Sequence, residues 1–193
     1  MNLLRNWFLI QTSAVNDNSR EVKFEDEIMG ELIRFVSAHE VGHTIGLPHN
    51  MGSSFAYHVD SLRSPTFTAN HGVAPSIMDY ARFNYVAQPE DGVTNFYPRV
   101  GEYDIWSVKW GYTYFDGEDQ NTEKEILNKW IKEKANNYQY WFGYSNGIDP
   151  RSQTESIGSD NMDASYYGLL NLKRIVPNLI NWTYEDGKNY DDL

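Results

Sequence analysis

The sequence predicts a mainly α-helical protein with long ordered loops, and three observations lead to this fold class. Residues 25–46 have apolar side chains at helical spacing over several turns. Two later segments, 102–111 and 122–136, also have helix-forming patterns, and the second begins with residues typical of a helix start. Alternating apolar and polar runs, which indicate strands, are few, and the sequence has no internal repeat.

The N-terminal stretch 1–10, MNLLRNWFLI, is predicted to be a helix or strand that packs on the domain. Arg5 and Asn6 interrupt its apolar residues, and the apolar run that follows is too short for a signal peptide. We therefore expect no export signal in this chain. A polar stretch, 11–18, leads to the strongest predicted helix, whose acidic first residues suit a helix N-terminus.

The rest of the chain alternates between predicted loops and helices. Residues 50–102 are rich in Gly, Pro, Ser and Asn and are predicted to form long ordered loops. Thr122 and Glu125 form a capping-box pattern that predicts a helix to about residue 136. After a loop at 143–160, a last helix is expected at 163–175, ending before Pro177.

Composition excludes several classes of protein. The 193 residues suit one domain or a compact pair, and the net charge of −11 makes nucleic acid an unsuitable partner. The longest apolar runs are too short for a membrane span. The absence of cysteine excludes disulfides, thiolate nucleophiles and cysteine-ligated metals. Any chemistry must therefore come from histidines, carboxylates, hydroxyls or a metal.

Residues 39–49, HEVGHTIGLPH, have the spacing of a metal site. His39 and His43 are four residues apart, so on a helix they project from one face and suit two ligands of one zinc ion. Glu40 lies about 100° around the helix from His39, which directs it toward a bound water rather than the ion. This pattern predicts a zinc-binding helix with an adjacent general base.

The residues after this helix are predicted to supply a third ligand. Gly46 permits the left-handed conformation that ends a helix, and Pro48 disfavours helix at the preceding residue. The chain must turn there, and His49 then returns toward the first two histidines. Three histidines leave the fourth tetrahedral position of Zn²⁺ for water, which is typical of a catalytic site.

The eleven residues 39–49 resemble the extended zinc signature of the metzincin metallopeptidases. The run 76–80, SIMDY, resembles the Met-turn of that clan, in which the methionine, here Met78, lies beneath the zinc-binding histidines. The resemblance implies that Tyr80 can bind zinc or stabilise an oxyanion, as the tyrosine of astacins and serralysins does. Asp79 departs from those families, which have histidine at this position.

Most of the chain resembles a family of large exported bacterial zinc-dependent metalloproteases. The resemblance rests on HEVGHTIGLPHNM, SLRSPTFT, APSIMDYARFNYVAQPEDG, YDIWSVKWGY and DPRSQTESIG…NLKRIVPNL. It implies an extracellular or periplasmic protein that acts on a protein or peptide substrate and is part of a larger multidomain chain. Asn50, after the third histidine, differs from the better-known metzincins, so their substrate preferences do not transfer.

The position of the motif indicates a partial catalytic domain. Only 38 residues precede His39, whereas metzincins carry a longer N-terminal sheet that pairs with extended substrate, so we expect this sheet to be largely absent. Residues 1–193 are expected to form one partial domain. Within it, 1–49 form a leader and the active-site helix, 50–102 a loop region with the Met-turn, and 103–193 a helical C-terminal subdomain.

The sequence thus predicts a zinc-dependent endopeptidase, or a fragment of one, with Glu40 as general base and Tyr80 as oxyanion donor. The alternative is a non-catalytic or vestigial zinc-binding module that recognises protein or glycan through its aromatic-rich C-terminal half. The aromatic residues at 103–115 and 130–144 suit a sugar platform or an apolar substrate pocket, but we expect them to form a core.

The remaining histidines and a group of acidic residues are given structural interpretations. His58 and His71 lack ligand spacing and are expected to be surface or supporting histidines. Four acidic residues of the C-terminal half lack the spacing of a calcium loop and are expected to be solvated: Asp149, Glu155, Asp160 and Asp163.

Overall fold

The regular structure is helical. The structure is a computed structural model that describes residues 2–145, 147–187 and 189. Short 3₁₀ turns and loops join its helices, and the described residues contain no strand, which confirms the predicted fold class. The helices are α1 Asn2–Thr12, α2 Asp26–Thr44, α3 Val59–Leu62, α4 Pro65–His71, α5 Glu102–Tyr112, α6 Gln120–Lys134, α7 Asn161–Ile175 and α8 Leu179–Thr183. Over these described helices, none is long and apolar enough to cross a membrane.

The segment 50–102 contains more helix than its composition predicts. The short helices α3 and α4 lie within it, together with 3₁₀ turns at Ser53–Ala56 and Pro89–Asp91. The α4 helix begins because the Ser64 side chain accepts a hydrogen bond from the Phe67 amide and Pro65 occupies the first turn. Such short helices depend on single capping residues, so a prediction from Gly and Pro content alone misses them.

The start of α6 differs from the predicted capping box. Asp119 is the N-cap, and its side chain accepts hydrogen bonds from the amides of Asn121 and Thr122. Thr122 therefore lies inside the first turn, and the prediction that it begins the helix is wrong. The aspartate satisfies two of the free amides that every helix N-terminus exposes.

The sequence predicts that the helix ending before Pro177 is the last one, but in the structure α7 is followed by α8. The N-cap of α7 is Asp160, and α7 ends at Ile175, close to the predicted end. Pro177 then lies in the first turn of a 3₁₀ turn, Val176–Asn178, where a missing amide hydrogen costs nothing. The chain continues from there into α8, so this proline redirects the helical path rather than ending it.

The main core packs α1 and α2 against the chain that follows residue 80. Phe8 of α1 is fully buried and contacts the rings of Phe24 and Phe83 edge to face, at 5.5 and 5.0 Å between centroids. Leu32 of α2 belongs to the same cluster. The N-terminal stretch therefore packs on the domain as predicted, and it packs in the same cluster as α2, the helix that carries His39 and His43.

A second core cluster supports the short helices and the C-terminal half. It joins Tyr57 and Leu62 to Val86, Ile157 and Ala164, all of them buried. The aromatic residues of 103–115 and 130–144 belong to neither cluster, and each is partly or largely exposed. The prediction that these aromatic residues form a core is therefore wrong, because α5 and α6 leave a cavity between them instead.

Candidate metal centre

The metal-binding helix ends where the sequence predicts a turn. The last residue of α2 is Thr44, and Gly46 follows with φ +88°, a conformation that glycine adopts without strain. The Gly46 amide donates to the His43 carbonyl at 3.0 Å, and the Leu47 amide donates to the Gly42 carbonyl at 3.0 Å. These bonds close the helix and reverse the chain toward His49.

Three histidine side chains converge at this turn. The Nε2 atoms of His43 and His49 are 3.0 Å apart, and those of His49 and His39 are 3.2 Å apart. One ligand atom from each ring lies within 4.8 Å of the others. Among the described residues this is the one group of three or more His, Asp or Glu side chains that can hold a metal ion.

Backbone carbonyls fix the orientation of two of these rings. His39 Nδ1 donates to the Ile77 carbonyl at 2.7 Å, and His43 Nδ1 donates to the Leu47 carbonyl at 2.9 Å. A carbonyl can only accept, so Nδ1 carries the proton in each ring and Nε2 keeps its lone pair. Both lone pairs are then available to a metal, which is the usual arrangement of zinc-ligating histidines.

This set of donors fits a zinc ion. Zn–N bonds of about 2.0–2.1 Å in a tetrahedron place ligand nitrogens about 3.3 Å apart, close to the observed separations. Burial lowers the pKa of His49, and charge on His39 and His43 lowers it further, which favours the neutral, metal-binding ring. Without a cation, facing lone pairs of neighbouring rings repel each other, so the geometry suits a bound cation.

Met78 lies directly beneath the metal-binding helix. Its side chain is fully buried, and a Cβ added to Gly42 would lie 2.3 Å from the Met78 sulfur. Gly42 lies between the two helical histidines in sequence, so the methionine contacts the helix at the level of the site. The Met78 carbonyl also accepts a hydrogen bond from the Asn50 amide at 3.0 Å, next to His49.

Asp104 of α5 holds the turn that contains Met78. Its carboxylate accepts hydrogen bonds from Ser76 Oγ at 2.6 Å, from the Ile77 amide at 2.7 Å and from the Gly101 amide at 2.9 Å. The side chain is buried, and burial raises its pKa while these bonds oppose the rise. Since the Ile77 carbonyl accepts from His39, this carboxylate positions the backbone that orients the His39 ring. Sequence reasoning missed it, because an acidic residue in a helix's first turn ordinarily indicates only capping.

Asn50 connects the third histidine to the C-terminal half. Its Nδ2 donates to the Trp141 carbonyl at 3.0 Å, and its Oδ1 accepts from the Gly143 amide at 2.9 Å. The residue is fully buried. Asn50 differs in the sequence from the better-known metzincins, and in the structure both the nitrogen and the oxygen of its side-chain amide bind the segment 141–143.

Glu40 and Tyr80 lie beside the three histidines. Glu40 is exposed on α2, and together with His39 and Tyr80 it lines a cavity of about 350 Å³. The Tyr80 ring centroid lies 4.5 Å from that of His49 and 5.4 Å from that of His39. All the residues that the sequence assigned to catalysis or metal binding therefore lie at one place in the structure.

Asp79, the departure from the better-known families, is a buried anchor. Its Oδ2 accepts a hydrogen bond from the Ser54 amide at 2.5 Å, and its Oδ1 has no hydrogen-bond partner among the residues that the structure describes. Burial raises the pKa of this carboxyl to about 7. The side chain points away from solvent and holds the segment that follows the third histidine.

The other two histidines and three of the four acidic residues, Asp149, Glu155 and Asp160, have structural partners. His71 Nδ1 lies 2.6 Å from Glu102 Oε1, and His58 Nδ1 lies 3.2 Å from Ser159 Oγ. Two of the acidic residues pair with arginines, Asp149 with Arg151 and Glu155 with Arg82, while Asp160 caps α7. None of these belongs to the three-histidine group.

Comparison with known proteins identifies the family. No curated protein and no solved structure matches the chain. The family model described as Met-zincin matches residues 21–193. That range includes the three histidines and most of the chain, and Met-zincin domains are of the zinc metallopeptidase type. The chain therefore belongs to the Met-zincin family.

Proposed function

We propose that the chain carries the catalytic site of a zinc-dependent endopeptidase and hydrolyses peptide bonds of a protein or peptide substrate. The observation that supports this most directly is the convergence of His39, His43 and His49 beside an exposed carboxylate, Glu40, at an open cavity. A purely structural zinc site is closed by four protein ligands and needs no such carboxylate.

The metal supplies one part of the chemistry: zinc held by three histidines lowers the pKa of water and polarises a carbonyl. Glu40 would take the proton from the attacking water and pass it to the leaving amine, which is worth about 10²–10⁴-fold in rate. Its position on α2, one residue after His39, directs it into the cavity rather than into the group of ligand nitrogens.

Tyr80 is the proposed donor to the oxyanion. Its ring packs beside His39 and His49 and is 38% exposed, so its hydroxyl is accessible to a substrate in the same cavity. Met78 supports the site from below, and Gly46 makes the turn that brings His49 to the other ligands. We propose these roles for Tyr80, Met78 and Gly46 together, because each contacts or shapes the three-histidine group.

We further propose that the protein acts outside the cytoplasm, extracellularly or in the periplasm, as part of a larger multidomain chain. The resemblance to exported bacterial metalloproteases supports this. Residues 1–193 would then be one partial catalytic domain, with an active-site helix, a loop region and a helical C-terminal subdomain.

The test uses three proteins: the chain, its Glu40→Gln variant, and a chain extended at its N-terminus to include the expected sheet. Zinc content and hydrolysis of an unfolded protein are measured with and without a chelator. We expect one zinc per chain in each protein, hydrolysis that the chelator stops, and a loss of about 10²–10⁴-fold in Glu40→Gln. Undiminished hydrolysis by Glu40→Gln would contradict the assignment of the base.

A non-catalytic zinc-binding module is the second candidate. One observation favours it: a large aromatic cavity lies in the C-terminal half, where a binding module would recognise protein or glycan. Zinc binding without hydrolysis by either the chain or its extended form would support this candidate over the first.

A further inference from the structure

The helix α7 has apolar side chains on two opposite faces. Its inner face buries Ala164 and Ile175 against the rest of the protein. Its outer face carries a row of large apolar side chains, each 36–79% exposed: Met162, Tyr166, Leu169, Leu172 and, directly after the helix, Val176. A helix that is apolar on both sides is ordinarily buried on both sides. We therefore expect another surface to cover this row, which we call the outer stripe.

The spacing of the outer stripe matches a seam between two helices. Met162, Leu169 and Val176 follow one another at intervals of seven residues, and Tyr166 and Leu172 lie beside them. At about 100° per residue, all five side chains fall within about 120° of the helix circumference. Apolar residues that repeat every seven positions keep two helices in contact over several turns. The stripe continues for about 21 Å along the axis, which suits a helix of similar length.

Two charged residues indicate which helix fits the outer stripe. Asp163 is exposed in the first turn of α7 and Lys173 in its last turn, on the same side of the stripe. When two α7 helices pack antiparallel with Leu169 against Leu169, Asp163 of one lies about 3 Å along the axis from Lys173 of the other. A lysine side chain spans that distance. Parallel packing would set the two lysines against each other, and like charges across an interface are unfavourable.

Antiparallel packing about Leu169 also meets the requirement of a two-fold interface, in which the same patch serves both copies. Met162 of one copy then lies level with Val176 of the other. Tyr166 lies level with Leu172 in the same way, so each apolar residue of the outer stripe has an apolar residue beside it. The stripe is thus complementary to a second copy of itself in both charge and apolar contact.

An apolar groove widens this surface. It lies along one edge of the outer stripe and has a volume of about 510 Å³, and Ile10 and Tyr85 line it together with Leu169 and Leu172. Stable protein interfaces bury about 1,200–2,000 Å² in total, and the groove adds apolar area to that of the stripe. The cavities beside the metal centre are lined by other residues. The stripe is therefore a surface separate from the candidate metal centre.

We propose that the outer stripe is the interface of a two-fold homodimer, in which the α7 helices of two copies of this chain pack antiparallel with Leu169 at the centre. The proposal goes beyond the proposed endopeptidase function and does not depend on it. Asp163 and Lys173 select the antiparallel direction, and the apolar row supplies the contact area.

Sedimentation equilibrium of the chain tests the oligomeric state. We expect a mass that approaches twice the 22.4 kDa of one chain and falls on dilution. Leu169→Glu places two like charges at the centre of the interface and should give a monomer. Ile105→Glu makes an equivalent change at a 66% exposed residue of α5 and should stay dimeric, with circular dichroism as the measure of folding for both variants. A wild-type monomer at every concentration up to about 0.1 mM, or a dimeric Leu169→Glu, would overturn the proposal.

Single cysteines locate the two-fold axis. The chain has no cysteine, so an introduced thiol can form a disulfide only with the same residue of a second copy. Leu169→Cys should give a cross-linked dimer under mild oxidation, because residue 169 faces its own copy and a disulfide needs Cα atoms within about 7 Å. Ile105→Cys should remain largely uncross-linked. Equal cross-linking of the two variants would contradict an axis at residue 169.

Reversal of the two charges tests the direction of packing. Asp163→Lys and Lys173→Glu should each weaken the dimer about tenfold, since each converts two attractive pairs into repulsive ones. The double variant restores opposite charges at the same places and should recover most of the lost affinity. A double variant as weak as the single variants would overturn the antiparallel arrangement.

Other occupants of the outer stripe give different results. A monomeric wild-type chain whose α7 is protected from hydrogen exchange only within a longer chain would replace the second copy with another segment of that chain. A monomeric chain that binds vesicles of neutral phospholipid, and loses this binding in Leu169→Glu, would replace it with a membrane surface. Either result would overturn the homodimer.

Discussion

Met78 and Gly42 are in direct contact: a Cβ on residue 42 would lie 2.3 Å from the methionine sulfur. The contact lies in the middle of the metal-binding face of α2, between His39 and His43. Because the Met78 side chain is fully buried, it has no space into which it can move. Only glycine at position 42 lets the helix lie this close to the turn below it.

Gly42→Ala should therefore destabilise the protein and weaken zinc binding. Overpacking of this kind typically costs about 1–3 kcal/mol, and a displaced helix moves two ligands at once. Thermal unfolding and zinc titration measure the two effects. Gly30→Ala is the matched control, because Gly30 lies on the same helix and nothing lies within 4 Å of its added Cβ. It should stabilise the helix slightly, so equal behaviour of the two variants would contradict the role of the contact.

Asp104→Asn should lower the affinity for zinc without touching a ligand. The carboxylate accepts two hydrogen bonds from the turn 76–78 and one from the Gly101 amide. The amide NH₂ of asparagine cannot accept the hydrogen bonds of the oxygen that it replaces. Loss of a group that hydrogen-bonds a metal ligand directly typically costs about 10–100-fold in affinity. Asp104 acts through the Ile77 backbone, one step further away, so we expect a loss near the lower end of that range. Zinc titration against a competing chelator measures the change.

A control for Asp104→Asn is Asp119→Asn, at the exposed N-cap of α6. It makes the same chemical change far from the turn, and asparagine caps a helix as well as aspartate does. Unchanged zinc affinity in Asp104→Asn would show that the turn is held in place by packing alone.

The convergence of the three histidines was predictable from the sequence because helical spacing directly determines which side chains share a face. His39 and His43 needed only the helix, and His49 needed only a turn at Gly46, so local rules were sufficient. The partners of the site were not predictable in this way. Asn50 binds residues more than 90 positions away in sequence, and no local pattern specifies such a contact.

The fold shows the same division between local and distant information. Helix α2 was predicted to within two residues, whereas the start of α6 was wrong because Asp119 and Thr122 are both acceptable caps and only the structure selects one. The aromatic residues of 103–115 and 130–144 were predicted to form a core, but they are partly or largely exposed and several of them line a cavity. Their composition suits a core or a cavity wall equally well, and the placement of α5 and α6 decides between them.

The stability of the protein should depend on pH through Asp79. The pKa of this carboxyl is raised from 3.8 to about 7 in the folded chain by burial. Below pH 4 the side chain is neutral in both states; above it, the unfolded chain releases the proton more readily. Stability should therefore fall between pH 4 and 7, by about 4 kcal/mol at most. Asp79→Asn should lack this component.

Chemical unfolding of wild type and Asp79→Asn at several pH values measures the difference. The histidines contribute to both proteins and cancel when the two are compared. Asp60→Asn, at an exposed position on α3, controls for the loss of one negative charge. A difference between wild type and Asp79→Asn that stays constant from pH 4 to 7 would contradict the raised pKa.

Tyr80→Phe should separate catalysis from metal binding. The ring stacks on that of His39 and lies tilted against that of His49. Phenylalanine preserves this packing while it removes the hydroxyl. Zinc affinity should stay within a small factor of the wild-type value. If the hydroxyl donates to the oxyanion, kcat should fall about 10²–10³-fold, equivalent to about 2.7–4 kcal/mol, with little change in KM. Tyr114→Phe, at an 84% exposed tyrosine, is the control. A tenfold or larger loss of zinc affinity in Tyr80→Phe would instead make the tyrosine a metal ligand, because a donor that acts only on the oxyanion does not contribute to zinc binding.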